Sequence, residues 1–307
     1  MSESLLERWR DALPVGDATP LVTLGEGGTP LVRAERVGRE LGIELWLKCE
    51  GLNPTGSFKD RGMALAVAKA VEQGAHGIVC ASTGNTAASA AAYAARAGLR
   101  AVIFHPAGAV ADAKLAQVRA AGAELVPVEG AFHDAFAAAL ELAERDAFTM
   151  VNSTNPFRLE GQKTAALELI EQLDGPPDVL ALPYGGGGNT TAYAKGFADA
   201  GTPLPRILAV QADRRRETVA SAIRIAEPVH RTTVEAAVDA SGGAIVSVSD
   251  DEILHAWRRL ARDEGLLCEP ASAASVAGLP ALVREGERVV AVLTGHGLKD
   301  PEAGGRP

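Results

Sequence analysis

Short apolar runs alternate with longer alanine-rich amphipathic stretches along most of this chain. The apolar runs are bounded by glycine, proline or polar residues, which predicts buried strands at residues 44–49, 77–81, 101–104, 124–128, 148–151, 179–182, 207–211, 244–248 and 289–293. Helical patterns fill the intervals and also predict helices at residues 5–12, 33–41 and 217–225. Regular alternation of strand and helix predicts parallel sheets covered by helices on both faces, the α/β class.

The composition and net charge limit the kinds of molecule that the chain is expected to bind. The chain has 307 residues, 47% of them hydrophobic and 22% charged, which suggests two domains of ordinary size. Its net charge of −9 argues against nucleic acid or an anionic membrane as a partner, so an anionic substrate would need a local positive site.

Cysteine usage and the amino-terminal residues indicate the compartment. The three cysteines lie far apart and include no C-x-x-C, so neither a metal site nor a disulfide framework is expected, and a reducing environment fits best. The first residues are charged and carry no apolar signal region. We therefore expect a cytoplasmic protein that does not span a membrane.

The segment from Asn53 to Gly62 begins as a turn and continues into a strong helix pattern. Ser57 and Asp60 have the spacing of a capping box, which puts Lys59 in the first helical turn. The positive end of the helix dipole and the nearby Arg61 both favour the neutral, nucleophilic amine that a Schiff base with an aldehyde cofactor requires. Taken alone, Lys59 could equally be a solvated first-turn lysine.

Two polar segments that follow predicted strands could bind anions. Residues 82–89 open an alanine-rich helix with hydroxyls and backbone N–H groups that could hold a carboxylate, although an ordinary helix cap explains the same residues. In residues 152–158, Asn155 and Pro156 form a good helix start, yet Arg158 in that first turn opposes the helix dipole unless an anion is present. An arginine beside free N–H groups makes a good phosphate clamp.

A third polar segment contains four consecutive glycines at residues 185–188, between a strand and a helix. Such a loop can wrap an anion with backbone N–H groups. It is not a Walker A loop, because no Gly-Lys-Ser/Thr follows, and Thr190 breaks the G-x-G-x-x-G spacing. A fourth segment, residues 268–274, is compatible with lining a cofactor or with a structural turn. The fifth carries Thr294 after the last strand.

The segment from Asn53 to Gly62 and these five segments together resemble the threonine synthase family of fold-type-II pyridoxal phosphate (PLP) enzymes over nearly the whole chain. The resemblance implies two doubly wound domains with parallel or mixed sheets and PLP in the cleft between them. Residues 51–154 would form a smaller, mobile domain carrying Lys59. Residues 1–50 with 155–307 would form a larger domain that binds the PLP phosphate, and a homodimer is the family expectation.

The resemblance also assigns roles to individual residues. Lys59 would hold PLP as a Schiff base and Asn85 would contact its 3-hydroxyl. Thr294 would meet the pyridine nitrogen, which should leave the ring largely neutral. Three groups of residues would bind anions: Gly185, Gly186, Gly187, Gly188 and Asn189 the PLP phosphate; Ser82 and Thr83 the substrate carboxylate; and Asn152, Ser153 and Arg158, with Thr86 assisting, the substrate phosphate.

The implied reaction converts O-phospho-L-homoserine and water to L-threonine and phosphate, with Lys59 moving protons. Two departures from the family pattern bear on this. The four-glycine run replaces the usual Gly-Asn-Ala-Gly-Asn and looks more like a threonine/serine dehydratase, which is the alternative reading. Residues 213–216 join a strand to the predicted helix 217–225 over a shorter connection than the family has. A nucleotide-binding regulatory protein that uses the glycine loop is the rival from another class.

Overall fold

The computed structural model describes residues 3–108 and 112–300. The strands are, in chain order, β1 Leu31–Arg33, β2 Glu44–Cys49, β3 Gly77–Ala81, β4 Arg100–Pro106, β5 Glu124–Val128, β6 Phe148–Met150, β7 Val179–Pro183, β8 Arg206–Ala212, β9 Ala244–Val248 and β10 Arg288–Leu293. The α-helices are α1 Leu5–Arg8, α2 Glu35–Leu41, α3 Lys59–Glu72, α4 Asn85–Ala97, α5 Asp112–Ala120, α6 Phe132–Asp146, α7 Pro156–Leu173, α8 Gly188–Asp199, α9 Arg231–Ser241, α10 Asp250–Asp263 and α11 Pro270–Ala277. The predicted α/β class is confirmed.

The chain divides into two compact units. The first unit comprises residues 1–27 and 53–164, and the second comprises residues 28–52 and 165–307. The family resemblance instead groups residues 1–50 with residues 155–307. Residues 1–27 cluster with the first unit because Leu5, Leu6 and Val22 pack into the same core as α3.

The first unit is built on a four-stranded parallel sheet in the order β5-β4-β3-β6. Side chains of β3 enter two different cores: Ile78 and Cys80 pack on one face, and Val79 and Ala81 on the other. Successive residues of a strand point to opposite faces, so a strand that is apolar throughout is covered on both sides. This sheet is therefore doubly wound, as predicted.

The second unit contains a six-stranded sheet in the order β1-β2-β10-β7-β8-β9. Only β1 runs antiparallel to its neighbour; the other strand pairs are parallel. Strand β7 again divides its side chains between two cores, with Val179 on one face and Leu180 on the other. The sheet is mixed and has a core on each face.

Three predicted helices differ from the observed elements. Residues 5–12 form the short α1 and a separate 3-10 turn, and residues 31–33 are a strand that precedes α2. The helix predicted at 217–225 is wrong: only Ser221–Ile223 is helical, as a 3-10 turn. The Arg224 guanidinium donates to the Thr218 carbonyl, which is the acceptor that the Ala222 N–H would use in a helix.

Within the described ranges, no helix combines the length and apolar character needed to cross a bilayer. The same residues contain no cluster of His, Cys, Asp or Glu side chains arranged to hold a metal ion.

Candidate active site

Lys59 is the first residue of α3, as predicted, and its amine lies 4.3 Å from the centroid of the Phe58 ring. The predicted capping box is absent, because Phe58 is the N-cap residue and caps no backbone group with its side chain. The Asp60 carboxylate instead accepts from the Thr55 N–H at 2.7 Å and from the Thr55 and Ser89 hydroxyls, each at 2.6 Å. Burial raises the pKa of Asp60. These bonds tie the loop before Lys59 to α4.

Helices α3 and α7 cross one turn after each begins, and the crossing depends on two glycines. A Cβ atom on Gly62 would lie less than 3.0 Å from the Arg158 carbonyl oxygen, and one on Gly161 would lie equally close to the Arg61 carbonyl oxygen. Only glycine permits backbones to approach this closely. Lys59 precedes Gly62 by one turn and Arg158 precedes Gly161 by one turn, so both cations stand at helix starts next to the same crossing.

Arg158 is 1% exposed, and its guanidinium is only partly satisfied. Its Nη1 donates to the Val151 carbonyl at 2.7 Å, whereas Nε and Nη2 are buried with no hydrogen-bond partner in the described part of the chain. Burial lowers the pKa of Arg158 to about 10, so the side chain stays charged at neutral pH. A buried cation with two unused donors at a helix start is suited to binding an anion.

The segments after β3 and β6 lie side by side, because these strands are parallel neighbours. The Asn152 amide joins them: its Oδ1 accepts from the Ala81 N–H at 3.0 Å and its Nδ2 donates to the Ala81 carbonyl at 2.9 Å. Two of its hydrogen-bonding positions are thus used by the backbone, and Nδ2 retains one N–H for a ligand.

Helix α4 begins without the ordinary side-chain cap that its sequence suggested. Its N-cap residue is Gly84, whose own N–H donates to the Ser82 hydroxyl at 3.3 Å. Asn85 and Thr86 open the helix, and Ser82, Thr83 and Thr86 are all partly exposed. Helix N–H groups left without a side-chain cap suit a carboxylate ligand.

The predicted residues of the first unit are therefore brought together. The Asp60–Ser89 bond joins α3 to α4, the Gly62–Gly161 crossing joins α3 to α7, and the Asn152 bonds join the segments after β3 and β6. The elements and segments joined in this way carry Lys59, Ser82, Thr83, Asn85, Thr86, Asn152, Ser153 and Arg158.

In the second unit, the four glycines leave β7 and enter α8. Gly187 is the N-cap of α8 with φ +88, and a Cβ atom there would lie 2.8 Å from Val234 Cγ2, so both conformation and space require glycine. Three buried polar atoms at the helix start have no partner among the described residues: Asn189 Nδ2, Thr190 Oγ1 and Thr191 Oγ1. The loop thus presents unused donors beside a helix N-terminus.

Thr294 follows β10, which is the parallel neighbour of β7, so it lies at the same edge of the sheet as the glycine loop. Its hydroxyl is 3.0 Å from the Ser272 hydroxyl, and Ser272 Oγ also accepts from the Gly295 N–H at 2.9 Å. Sequence reasoning did not single out Ser272. A serine in the first turn of a helix is common for local reasons, and only the fold pairs it with Thr294.

Each unit, taken by itself, carries groups that suit a part of PLP. Lys59 supplies the amine for an aldehyde, the donors around Asn189 suit a phosphate, and Thr294 offers a neutral hydroxyl for a pyridine nitrogen. The family model described as pyridoxal-phosphate dependent enzyme matches residues 22–295. The chain belongs to this family, and its fold places it in the fold-type-II class.

Its relatives include threonine synthases from several lineages. It is 49% identical to the threonine synthase of Bacillus sp. (strain ULM1), over 98% of this chain and 92% of the relative. It is 46% identical to that of Mycobacterium tuberculosis (strain H37Rv), over 97% and 89%, and 46% identical to that of Methanocaldococcus jannaschii, over 96% and 81%.

Solved structures share the fold at lower identity. Maize serine racemase superposes with a TM-score of 0.78 at 24% identity, over 88% of each chain. The processed form of threonine deaminase isoform 2 from Solanum lycopersicum superposes with a TM-score of 0.77 at 25% identity, over 87% of this chain and 79% of that chain.

Proposed function

We propose that this enzyme acts as a threonine synthase and converts O-phospho-L-homoserine and water to L-threonine and phosphate. Its relatives at 46–49% identity carry that name. The observation that carries the proposal is Arg158, whose buried guanidinium keeps two nitrogens without partners in the described residues. A substrate that bears its own phosphate gives this cation a ligand, whereas an unphosphorylated amino acid does not.

Bound PLP supplies an electron-withdrawing ring that stabilises negative charge on the substrate carbon next to it. Lys59 would hold the cofactor, and its amine would remove the proton from the substrate Cα and return protons as the reaction proceeds. Lys59 is the first residue of α3, the helix that crosses α7 next to Arg158.

The substrate is held through its two anionic ends. Ser82 and Thr83, with the uncapped start of α4, bind the carboxylate. Arg158 binds the phosphate, and Ser153, Thr86 and the free N–H of Asn152 add hydrogen bonds. A phosphate gripped by a cation is also a better leaving group, because the charge that develops on its bridging oxygen is stabilised.

We propose cofactor contacts in each unit, taken separately. In the first unit, Asn85 bonds the 3-hydroxyl with an uncharged amide. In the second, the N–H groups and side-chain donors of residues 185–189 bind the PLP phosphate, and Thr294 bonds the ring nitrogen. A hydroxyl does not hold a proton on that nitrogen as a carboxylate would, so the ring stays largely neutral.

The proposal is tested by replacing Arg158 with lysine and with methionine. Because charge-assisted hydrogen bonds to phosphate are lost, kcat/KM for O-phospho-L-homoserine should fall on the order of a hundredfold in the methionine variant, and less in the lysine variant. Binding of L-threonine, read from the absorbance change of the bound cofactor, should remain near the wild-type value. Arg119→Met, on an exposed position of the same unit, is the matched control.

Two results would count against this function. If Arg158→Met leaves kcat/KM for O-phospho-L-homoserine unchanged, the phosphate assignment fails. If the wild-type enzyme releases no phosphate but forms 2-oxobutyrate from L-threonine, it is a dehydratase, the alternative that the four-glycine run indicates.

The family also suggests the cellular compartment and the oligomeric state of the enzyme. We infer a cytoplasmic homodimer, and the three cysteines, all buried and unpaired with one another, suit a reducing compartment. Analytical ultracentrifugation of the purified protein checks the dimer.

A further inference from the structure

The glycine loop of the second unit rests against residues 213–230, the segment where the chain departs from its family pattern. Arg215 reaches from this segment to the loop. Its guanidinium carbon lies 4.6 Å from the centroid of the Tyr184 ring, and Tyr184 is the residue directly before the first glycine. The Tyr184 ring lies beneath the loop: a Cβ atom on Gly187 would be 3.3 Å from Tyr184 Cε2.

Two consecutive glycine carbonyls are held by the same segment. Arg215 Nη1 lies 3.4 Å from the Gly185 carbonyl oxygen, to which it donates, and it also donates to the Ile225 carbonyl at 3.0 Å. The backbone N–H of His230 donates to the Gly186 carbonyl at 3.0 Å. Both carbonyls are thus bound on the side of the loop that faces residues 213–230.

Holding these carbonyls also aims the neighbouring N–H groups. In a trans peptide the C=O and the following N–H lie in one plane and point in opposite directions. The N–H groups of Gly186 and Gly187 must therefore point away from residues 213–230. An anion that accepts hydrogen bonds from both N–H groups must therefore lie on that side of the loop.

We infer that Arg215 is a positioning residue that fixes the glycine loop for the cofactor phosphate. The inference rests on the proposed role of residues 185–189. Arg215 does not touch the phosphate; it acts through the Gly185 carbonyl and the Tyr184 ring. The backbone N–H groups of the four glycines are the donors to the phosphate. Arg215 restricts the backbone conformation of the loop, so that these N–H groups keep one direction.

The chemistry of arginine suits this role. A guanidinium is planar, so it can stack on Tyr184 while donating in its own plane to several carbonyl oxygens. Its Nε donates to Gln211 Oε1 at 3.0 Å, and its Nη2 is bonded to the same oxygen, which fixes the plane from the other side. A lysine ammonium carries the charge but cannot make this set of contacts at once.

The test compares PLP with pyridoxal, which lacks the phosphate, in binding to the full-length apoenzyme. In Arg215→Met, the Kd for PLP should rise roughly tenfold, the loss of one hydrogen bond made by a charged group, while the Kd for pyridoxal stays within about twofold. Arg215→Lys should fall between wild type and Arg215→Met. The exposed neighbour Arg216, changed to methionine, is the matched control and should leave both constants unaltered.

A second variant covers the case in which Arg215→Met does not fold. Gln211→Ala leaves Arg215 in the chain and removes its anchor, together with an exposed bond from Gln211 to the Ser247 hydroxyl. It should weaken PLP binding in the same selective way and by a smaller factor. The phosphorus-31 resonance of bound PLP should shift in both variants and not in Arg216→Met. Equal weakening of PLP and pyridoxal would mean that Arg215 serves only the stability of the unit, and unchanged PLP binding would also overturn the inference.

Asn189→Asp separates this inference from the role of the loop itself. It places a negative charge among the partnerless donors, so PLP should weaken and pyridoxal should not, whatever Arg215 does. If Asn189→Asp weakens PLP while Arg215→Met does not, only the Arg215 inference fails. If Asn189→Asp has no effect, the phosphate loop is assigned wrongly.

Discussion

Ser272 is the hydrogen-bond partner of the Thr294 hydroxyl. The two hydroxyl oxygens are 3.0 Å apart, and Ser272 Oγ is already an acceptor for the Gly295 N–H. Ser272 also lies 3.3 Å from the Gly295 carbonyl, to which it can donate. When it does so, Thr294 is left to use its own proton, either toward Ser272 or toward the cofactor ring nitrogen.

Replacing Ser272 with alanine should therefore change the cofactor environment more than the fold. We expect the absorbance maximum of bound PLP to shift and kcat to fall by roughly three- to tenfold, the value of about one hydrogen bond. Ser275→Ala is the control, because Ser275 is equally buried in the same helix and bonds backbone carbonyls instead of Thr294. Spectra and kcat that respond alike to both changes would contradict a specific role for Ser272.

The sequence predicted residues that are marked by their immediate sequence neighbours. It did not predict residues whose role depends on a partner that is distant in sequence. Lys59 and the helix start at Asn155 follow from turn and helix signals, and both lie where predicted. Ser57 and Asp60 have the right spacing for a cap, but Asp60 is bonded to Thr55 and to Ser89 instead. Ser272 and Arg215 act on partners that only the folded chain brings close, so no local signal marks them.

At the scale of elements, apolar runs predicted the strands well because both sheets are buried on both faces. Strand β1 was missed, since it is three residues long and pairs only at the edge of its sheet. The false helix at 217–225 has good helical residues, yet the Arg224 guanidinium occupies the Thr218 carbonyl that a helical N–H would need, and Asp250 binds the Thr218 hydroxyl. Side chains distant in sequence thus override local propensity there.

The crossing of α3 and α7 predicts a large effect from one methyl group. Gly161→Ala would bring a Cβ atom against the Arg61 backbone, which cannot yield as a flexible side chain could. We expect a loss of about 1–3 kcal/mol in the free energy of unfolding and weaker PLP binding, because Lys59 moves with α3. Urea unfolding checks the first effect and cofactor titration the second.

Gly16→Ala is the control for this change, since its Cβ would meet only Glu72 at 4.0 Å. Gly16→Ala should change neither the free energy of unfolding nor the affinity for PLP. A Gly161→Ala protein as stable as wild type would show that the two helices can separate at no cost.

At the scale of the whole molecule, an acidic protein depends on a few buried cations. Lys48 is fully buried in the second unit, where its amine is 3.0 Å from the Glu168 carboxylate and donates to the Thr29 carbonyl at 2.9 Å. Glu168 also accepts from the Gly28 N–H at 2.7 Å. The pair therefore fixes the loop at residues 28–29 inside the unit.

Removing one charge of this pair should cost far more than removing an exposed one. We expect Lys48→Met to lower the free energy of unfolding by about 3–5 kcal/mol, because the Glu168 carboxylate stays buried without its cation. Lys195→Met, which breaks the half-exposed pair with Asp199, should cost only about 0.3–0.5 kcal/mol. Urea unfolding followed by circular dichroism compares them, and similar losses would contradict the role given to the buried pair.

The most direct measurement gives the purified holoenzyme O-phospho-L-homoserine and quantifies phosphate and amino acid together. A threonine synthase releases one phosphate for each L-threonine formed, and the two should rise at the same rate. Absence of phosphate release, with 2-oxobutyrate formed when L-threonine is supplied instead, would contradict the proposed function.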